Sequence, residues 1–187
     1  MTGLAIAGGV ALLFLWLLRQ AMPSPRDRQL ERLRRAARAR GLMVALRPES
    51  PAHTGDQVRP GGTQRQEKLH RPFYGLPLSP VAGAPRPKWR ADWRADDEVR
   101  MAPLPPGWIL RPGTLVLTDS VLEALSALLA QAPPGVQGVV AEGAQLGAFW
   151  TERGEAAQVE ALAVWLEALR AFHRKQTARS EAPHPAL

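Results

Sequence analysis

Hydrophobic and polar positions sort this chain into zones of different period. Residues 3 to 18, GLAIAGGVALLFLWLL, are apolar without interruption. From Arg19 to Gly41 the pattern inverts, and arginine dominates around a thin stripe of Leu30, Leu33 and Ala37 at helical spacing. Leu42 to Leu46 reads as a short strand, ended by Arg47-Pro48. The next stretch, to Arg71, has Val58 as almost its only apolar side chain, so it cannot bury enough surface to order itself; residues 47–71 are expected to be a flexible Pro/Gly-rich loop. Phe73 to Leu78 reads as an edge strand because of its proline.

The chain's one local repeat follows: Trp89-Arg90-Ala91-Asp92, then Trp93-Arg94-Ala95-Asp96. A helix would stack Arg90 on Arg94 and Asp92 on Asp96, which is unfavourable at i,i+4. A strand alternates arginine with aspartate on one face and sets Trp89, Ala91, Trp93 and Ala95 on the other, so strand is expected. Beyond residue 103, Trp108-Ile109-Leu110 and Leu115-Val116-Leu117 flank the turn at 111–114. Thr118 or Asp119 caps a helix carrying Val121, Leu125 and Leu129. Val136–Ala141 and Leu146–Thr151 form a hairpin, and a last helix runs from about Gly154 to Lys175.

These elements predict an α+β class: a transmembrane anchor (residues 1–22), a basic juxtamembrane helix (23–41), strands with the flexible loop (42–102), a compact core (103–175) and a disordered tail (176–187). The expected domain is a mixed or antiparallel sheet with two packed helices. Ser24 as N-cap, Pro25 at the first helical position, Asp27 in the first turn and Gly41 beyond the end delimit the basic helix.

Charge sets the orientation. Sixteen helical residues span roughly 24 Å, about one turn short of a 30 Å hydrocarbon core, and neighbours on either side make up the difference. A cleaved signal would need a basic start and a small-residue cleavage site, and RQAMPSPR after the apolar run supplies none. Arginines 19, 26, 28, 32, 34, 35, 38 and 40 all lie on the C-terminal side. Basic residues stay cytoplasmic, so the expected placement is a bacterial inner membrane with the N-terminus outside and the remainder in the cytoplasm. Arg19, Arg26, Arg28, Arg32, Arg34, Arg35 and Arg38 are the candidate contacts to an anionic leaflet. Gly3, Ala7 and Ala11 form a small-residue face suited to helix packing. The net charge of +7 is carried by the membrane-proximal half, with residues 103–172 mildly acidic. A nucleic-acid binder more often carries its charge on the folded module, so nucleic acid is the less favoured partner.

Chemistry is sparse. There is no cysteine, which excludes disulfides and thiolate metal sites. Histidines 53, 70, 173 and 184 have no spaced partner, and His173 is expected at a helix end. Asp96-Asp97-Glu98 lacks calcium-loop spacing, and no phosphate loop or G-x-S-x-G elbow occurs. No catalytic residue, metal or cofactor is therefore expected. Trp89, Arg90, Trp93 and Arg94 are a candidate partner surface, since tryptophan and arginine dominate binding hot spots.

The expected function is that of a non-enzymatic accessory or scaffolding subunit in a membrane assembly. The alternative is an anionic-lipid or nucleic-acid module that uses the arginine-rich helix. In outline, a short external N-terminus, one span and a cytoplasmic domain resemble the small accessory subunit of the bacterial protein-export translocase; the likeness is one of topology alone.

Overall fold

A capping box opens the first helix, α1 (Pro25–Ala39): the Ser24 hydroxyl accepts from the Asp27 amide while the Asp27 carboxylate accepts from the Ser24 amide. The Ser24 hydroxyl also donates to Asp27 Oδ2 at 2.7 Å, and that bond, followed by the one from the Ser24 amide, holds the Asp27 carboxyl below its usual range. At the other end Gly41 takes a φ of 76°, its amide reaching Arg38 and that of Leu42 reaching Ala37. This paired closure satisfies the last carbonyls and needs a residue tolerant of positive φ. The computed structural model describes residue 16, and residues 24–48, 70–78, 87–94, 103–111, 113 and 118–181.

After α1 come β1 (Met43–Pro48), β2 (His70–Pro77), β3 (Trp89–Trp93) and β4 (Trp108–Arg111). Then follow α2 (Asp119–Leu129), the hairpin β5 (Val136–Glu142) and β6 (Gln145–Trp150), and α3 (Ala156–Glu181). The strands form one sheet in the order β1-β2-β6-β5-β3-β4. Every pairing is antiparallel. The α+β class stands, with a six-stranded antiparallel sheet and three helices rather than two.

The helices share one face of the sheet. Leu33 and Ala37 of α1, Leu125 and Leu129 of α2, and Leu162, Leu166 and Leu169 of α3 enter one core with Tyr74, Leu146, Ala148, Trp150, Val139, Trp89 and Trp108. Burying each large apolar side chain is worth about 1.5–3 kcal/mol, so α1 belongs to the folded domain and does not merely adjoin it. On the opposite face Phe73, Val140 and Phe149 form a separate small cluster without a helix residue. Phe73 lies across two glycines: a Cβ on Gly75 would stand 2.8 Å from its ring, and one on Gly147 would overlap it.

β2 is not the edge strand that Pro77 suggested, since β1 and β6 flank it, and it also takes in Pro72. The reason is register. Pro72 faces Leu46 of β1, whereas pairing with β6 begins only at Phe73. Pro77 faces Gln145 of β6, beyond the last β1 partner at Gly75. Each proline thus sits where one side of the strand has no ladder to serve. β1 also runs on through Arg47 and Pro48, and β2 starts at His70, so both ends of the expected loop are strand.

The last helix continues to Glu181, six residues past its expected end. Gln176 and Thr177 are buried, and the Thr177 hydroxyl donates to the His173 carbonyl. His173 accordingly lies inside α3 and not at its terminus; it is buried, and its Nδ1 accepts from Trp89 Nε1 at 3.2 Å. Packing against Trp89 places it, with no part for the helix dipole.

Among the described residues no helix is long and apolar enough to cross a membrane. The expected anchor lies, apart from Trp16, outside the described residues, as do Arg19 and the face of Gly3, Ala7 and Ala11. So do residues 49–69, the strand expected at 115–117, Ala95 to Glu98, and 182–187.

Candidate partner-binding site

Trp93 and Trp108 face each other at the adjoining ends of β3 and β4. Antiparallel register puts them on the same side of the sheet as the helices. Trp108 is buried, but Trp93, at the strand's end, is 41% exposed. Gly107 makes the arrangement possible. Its φ of 81° turns the chain into β4, the Arg94 amide donates to its carbonyl at 2.7 Å, and a Cβ there would stand 2.8 Å from Trp93 Nε1.

The tryptophans form one wall of a cleft of about 720 Å³. Pro105 and Pro106, from the loop before β4, and Pro133 and Pro134, from the loop after α2, line it too. Ser126 Oγ donates to the Pro103 carbonyl, tying α2 to the first proline loop. Trp150 Nε1 donates to the Pro134 carbonyl, tying β6 to the second. Proline cannot donate from its backbone, so these stretches present rigid apolar rings and carbonyl oxygens.

The far rim is polar: Thr151, Arg153, Gly154 and Gln158. Thr151 Oγ1 is buried with no hydrogen-bond partner among the described groups. An unsatisfied buried hydroxyl costs free energy, so it favours a ligand able to bond it. Arg153 is exposed at the mouth. No carboxylate, imidazole or amine is found among the described lining residues, so the chemistry they offer is apolar contact, hydrogen bonding and one guanidinium. Nor do the described residues gather three or more potential metal ligands.

This rim is bonded to the arginine-rich helix. Arg34 donates Nε to Glu152 Oε1 at 2.7 Å and Nη2 to Oε2 at 2.8 Å, and Tyr74 donates its hydroxyl to the same Oε1 at 2.7 Å. Gln29 donates to the Gly154 carbonyl at 3.0 Å, and Arg40 pairs with Glu160. Glu152 is buried and holds a φ of 53°, which an L-residue keeps only when its surroundings impose it. The hydrogen bond from Arg34 to the Glu152 carboxylate raises the guanidinium pKa. Burial and the Glu152 carboxylate push the Tyr74 phenol well above its usual range.

The sequence-predicted site residues separate accordingly. Trp89 is core: it is buried, 6.1 Å from Phe172 edge to face, and bonded to His173. Arg90 turns to Asp92 on the other face of the sheet, and Arg94 is half-buried beside Gly107. Only Trp93 of the four lines the cleft. On α1, Arg34 points inward, whereas Arg26, Arg28, Arg32, Arg35 and Arg38 are exposed. The pattern along the chain missed Thr151, Arg153 and Gln158, which carry no local signal. Of the proline pairs in the lining, Pro133-Pro134 was visible along the chain only as the stop of a helix, and Pro105-Pro106 carried no signal of its own.

No family model matches the chain, and no curated protein matches it. One solved structure resembles it, the crystal structure of the mycobacterial trehalose monomycolate transport factor A, TtfA. The two are 11% identical, the match covers 84% of this chain and 98% of that one, and the TM-score is 0.47.

Proposed function

We propose that the chain is a non-enzymatic accessory subunit of a bacterial membrane assembly. Residues 1–22 anchor it in the inner membrane with the N-terminus outside, and the α+β domain holds a protein partner in the cytoplasm. The observation that carries this reading is the coupling of the Trp93 cleft to α1 through Arg34–Glu152 and Gln29–Gly154. A partner bound there is held at the segment that leads directly to the apolar run. The complementary ligand is an extended, proline- or aliphatic-rich segment that packs between the tryptophan and proline walls, bonds Thr151 Oγ1 and sets a carboxylate against Arg153.

The test is photo-crosslinking in cells expressing the full chain, with the reactive residue at position 93 and, as control, at Val164, exposed on α3. Extraction in mild detergent should recover a discrete protein adduct from position 93 and none from 164. A strictly monomeric chain with no adduct at 93 would overturn the proposal.

A second reading has its own observation. Arg28, Arg32, Arg35 and Arg38 are exposed on α1, on the sides turned away from Leu33 and Ala37, with Glu31 as the acid among them. Such a face suits an anionic lipid surface, each basic side chain adding on the order of 1 kcal/mol. Salt-dependent sedimentation with anionic vesicles, abolished by reversing these charges, would support it; equal binding to DNA would instead favour a nucleic-acid module.

A further inference from the structure

We propose that the occupant of the Trp93 cleft is a proline-rich segment in the polyproline II form, with an acidic residue beside its prolines. This rests on the reading of the cleft as a partner site, and it names the chemistry of the partner. Donors are in surplus there. Three buried tryptophans outside the cleft have their indole N–H satisfied: Trp89 donates to His173 Nδ1 at 3.2 Å, Trp150 to the Pro134 carbonyl at 3.0 Å and Trp165 to the Leu128 carbonyl at 2.7 Å. The two that line the cleft, Trp93 and Trp108, have no indole hydrogen-bond partner among the described residues. A buried tryptophan usually finds one, and Trp108 is only 4% exposed. Arg153, exposed at the mouth, likewise has no ion pair among the described residues.

Acceptors in the lining are already engaged within the fold. The carbonyls of Pro105 and Pro133 accept the amides of Trp108 and Val136, and that of Pro134 accepts Trp150 Nε1. Those of Gly135 and Gly154 accept the Thr151 amide and the Gln29 side chain. The side-chain oxygens of Gln137 and Gln158 are taken as well, by Arg71 Nη1 at 2.7 Å and by the Glu155 amide at 2.8 Å. Each of these glutamines keeps its NH2 as a further donor.

A fitting ligand therefore brings acceptors and few N–H groups of its own. An aliphatic extended segment carries one N–H for every carbonyl, and its amides would lose water without an acceptor to replace it. A proline-rich segment avoids that cost. Its prolines have no N–H, and its carbonyls make no internal bond in the polyproline II form. Trp93 and Trp108 are cross-strand neighbours, so two indole rings lie side by side, and aromatic surfaces of this kind are where such segments dock. The carboxylate of an acidic residue meets the Arg153 guanidinium.

The experiment is a titration of the full chain in detergent micelles, isotope-labelled at the tryptophan nitrogens and followed by the indole N–H resonances. The probes are an acetylated, amidated oligoproline carrying one aspartate, the same peptide with asparagine instead, and a leucine-rich peptide of equal length with the aspartate kept. The expected result is saturable shifts of the Trp93 and Trp108 resonances, with Trp89, Trp150 and Trp165 unmoved. Trp93→Phe keeps a ring and removes the donor at an exposed position, so it should fold and bind about fivefold more weakly. Trp108→Phe alters a buried ring and serves only to assign its signal. The asparagine peptide should bind about fivefold more weakly than the aspartate one, a difference that Arg153→Gln erases. Equal binding of the leucine-rich peptide, or an oligoproline that moves neither cleft indole, would overturn the inference. An adduct at position 93 without a response to oligoproline overturns this inference alone. Indole shifts without an adduct in cells overturn the accessory-subunit reading and leave the chemistry of the cleft standing.

Discussion

Arg34 and Glu152 meet fork to fork, at 2.7 and 2.8 Å, although 118 residues separate them in the chain. The pair joins α1 to the segment between β6 and α3, and Tyr74 adds a third bond from the middle of the sheet. Glu152 is thereby fixed with two oxygens satisfied by three donors, in a backbone conformation that glycine would adopt more easily.

Removing that carboxylate leaves a half-buried guanidinium and a buried phenol without their acceptor. Glu152→Ala should lower stability by roughly 2–3 kcal/mol, less than for a fully buried pair because the Arg34 side chain is 30% exposed. Glu152→Gly should be less damaging than Glu152→Ala by about 1 kcal/mol, since it loses the same bonds but relieves the positive φ. Urea midpoints of the two variants compare these directly; equal midpoints would mean the backbone at 152 is unstrained.

Tyr74 is the chain's one tyrosine. Its folded pKa is raised, first by burial and then by the Glu152 carboxylate. The sign follows: a raised pKa contributes stability that is fully present below the unfolded value near 10 and is lost as pH climbs toward the folded one. Thermal melts should therefore weaken progressively above about pH 10, and Tyr74→Phe should flatten that decline. Tyrosinate absorbance in the near ultraviolet should rise only as the chain unfolds. A titration of the folded chain at the ordinary phenol value would refute the assignment.

The glycines beneath Phe73 allow a sharper comparison. Gly147→Ala would press a methyl group into both the Phe73 ring and the Tyr74 carbonyl, the latter fixed in the β2–β6 pairing. A loss of about 1–3 kcal/mol is expected from such overpacking. A Cβ added at Gly143, in the β5–β6 turn, would meet nothing within 4 Å, so its φ of 60° is what an alanine would strain, and Gly143→Ala should cost about 1 kcal/mol. Chemical denaturation of the two variants should rank them in that order.

The two tryptophans of β3 should behave differently despite their identical repeat context. Trp89→Ala opens the core beside His173 and Phe172 and should cost about 3–5 kcal/mol. Trp93→Ala should change stability far less and instead abolish capture of the proposed partner. A Trp93→Ala chain that keeps its crosslinking partner, tested from a second reactive position at Arg153, would remove Trp93 from the interface.

Local rules were legible wherever a few neighbouring residues settle the structure. Ser24 with Asp27, Thr118 before α2, Gly41 after α1 and the turn at Gly143 all sit where capping and turn chemistry place them. The alternation of Trp89 to Trp93 correctly specified a strand, because side-chain period and like-charge repulsion act within that strand. What the sequence by itself determined is thus most of the described elements, the α+β class and the apolar start followed by arginines. Tertiary structure alone decided which arginine turns inward, why β2 tolerates its prolines in the sheet interior, that Asp92 is buried between two guanidiniums, and that two proline pairs and two tryptophans line one cleft. Those outcomes depend on strand order and register, which bring together residues far apart in the chain, and no pattern confined to one turn or one strand carries that information.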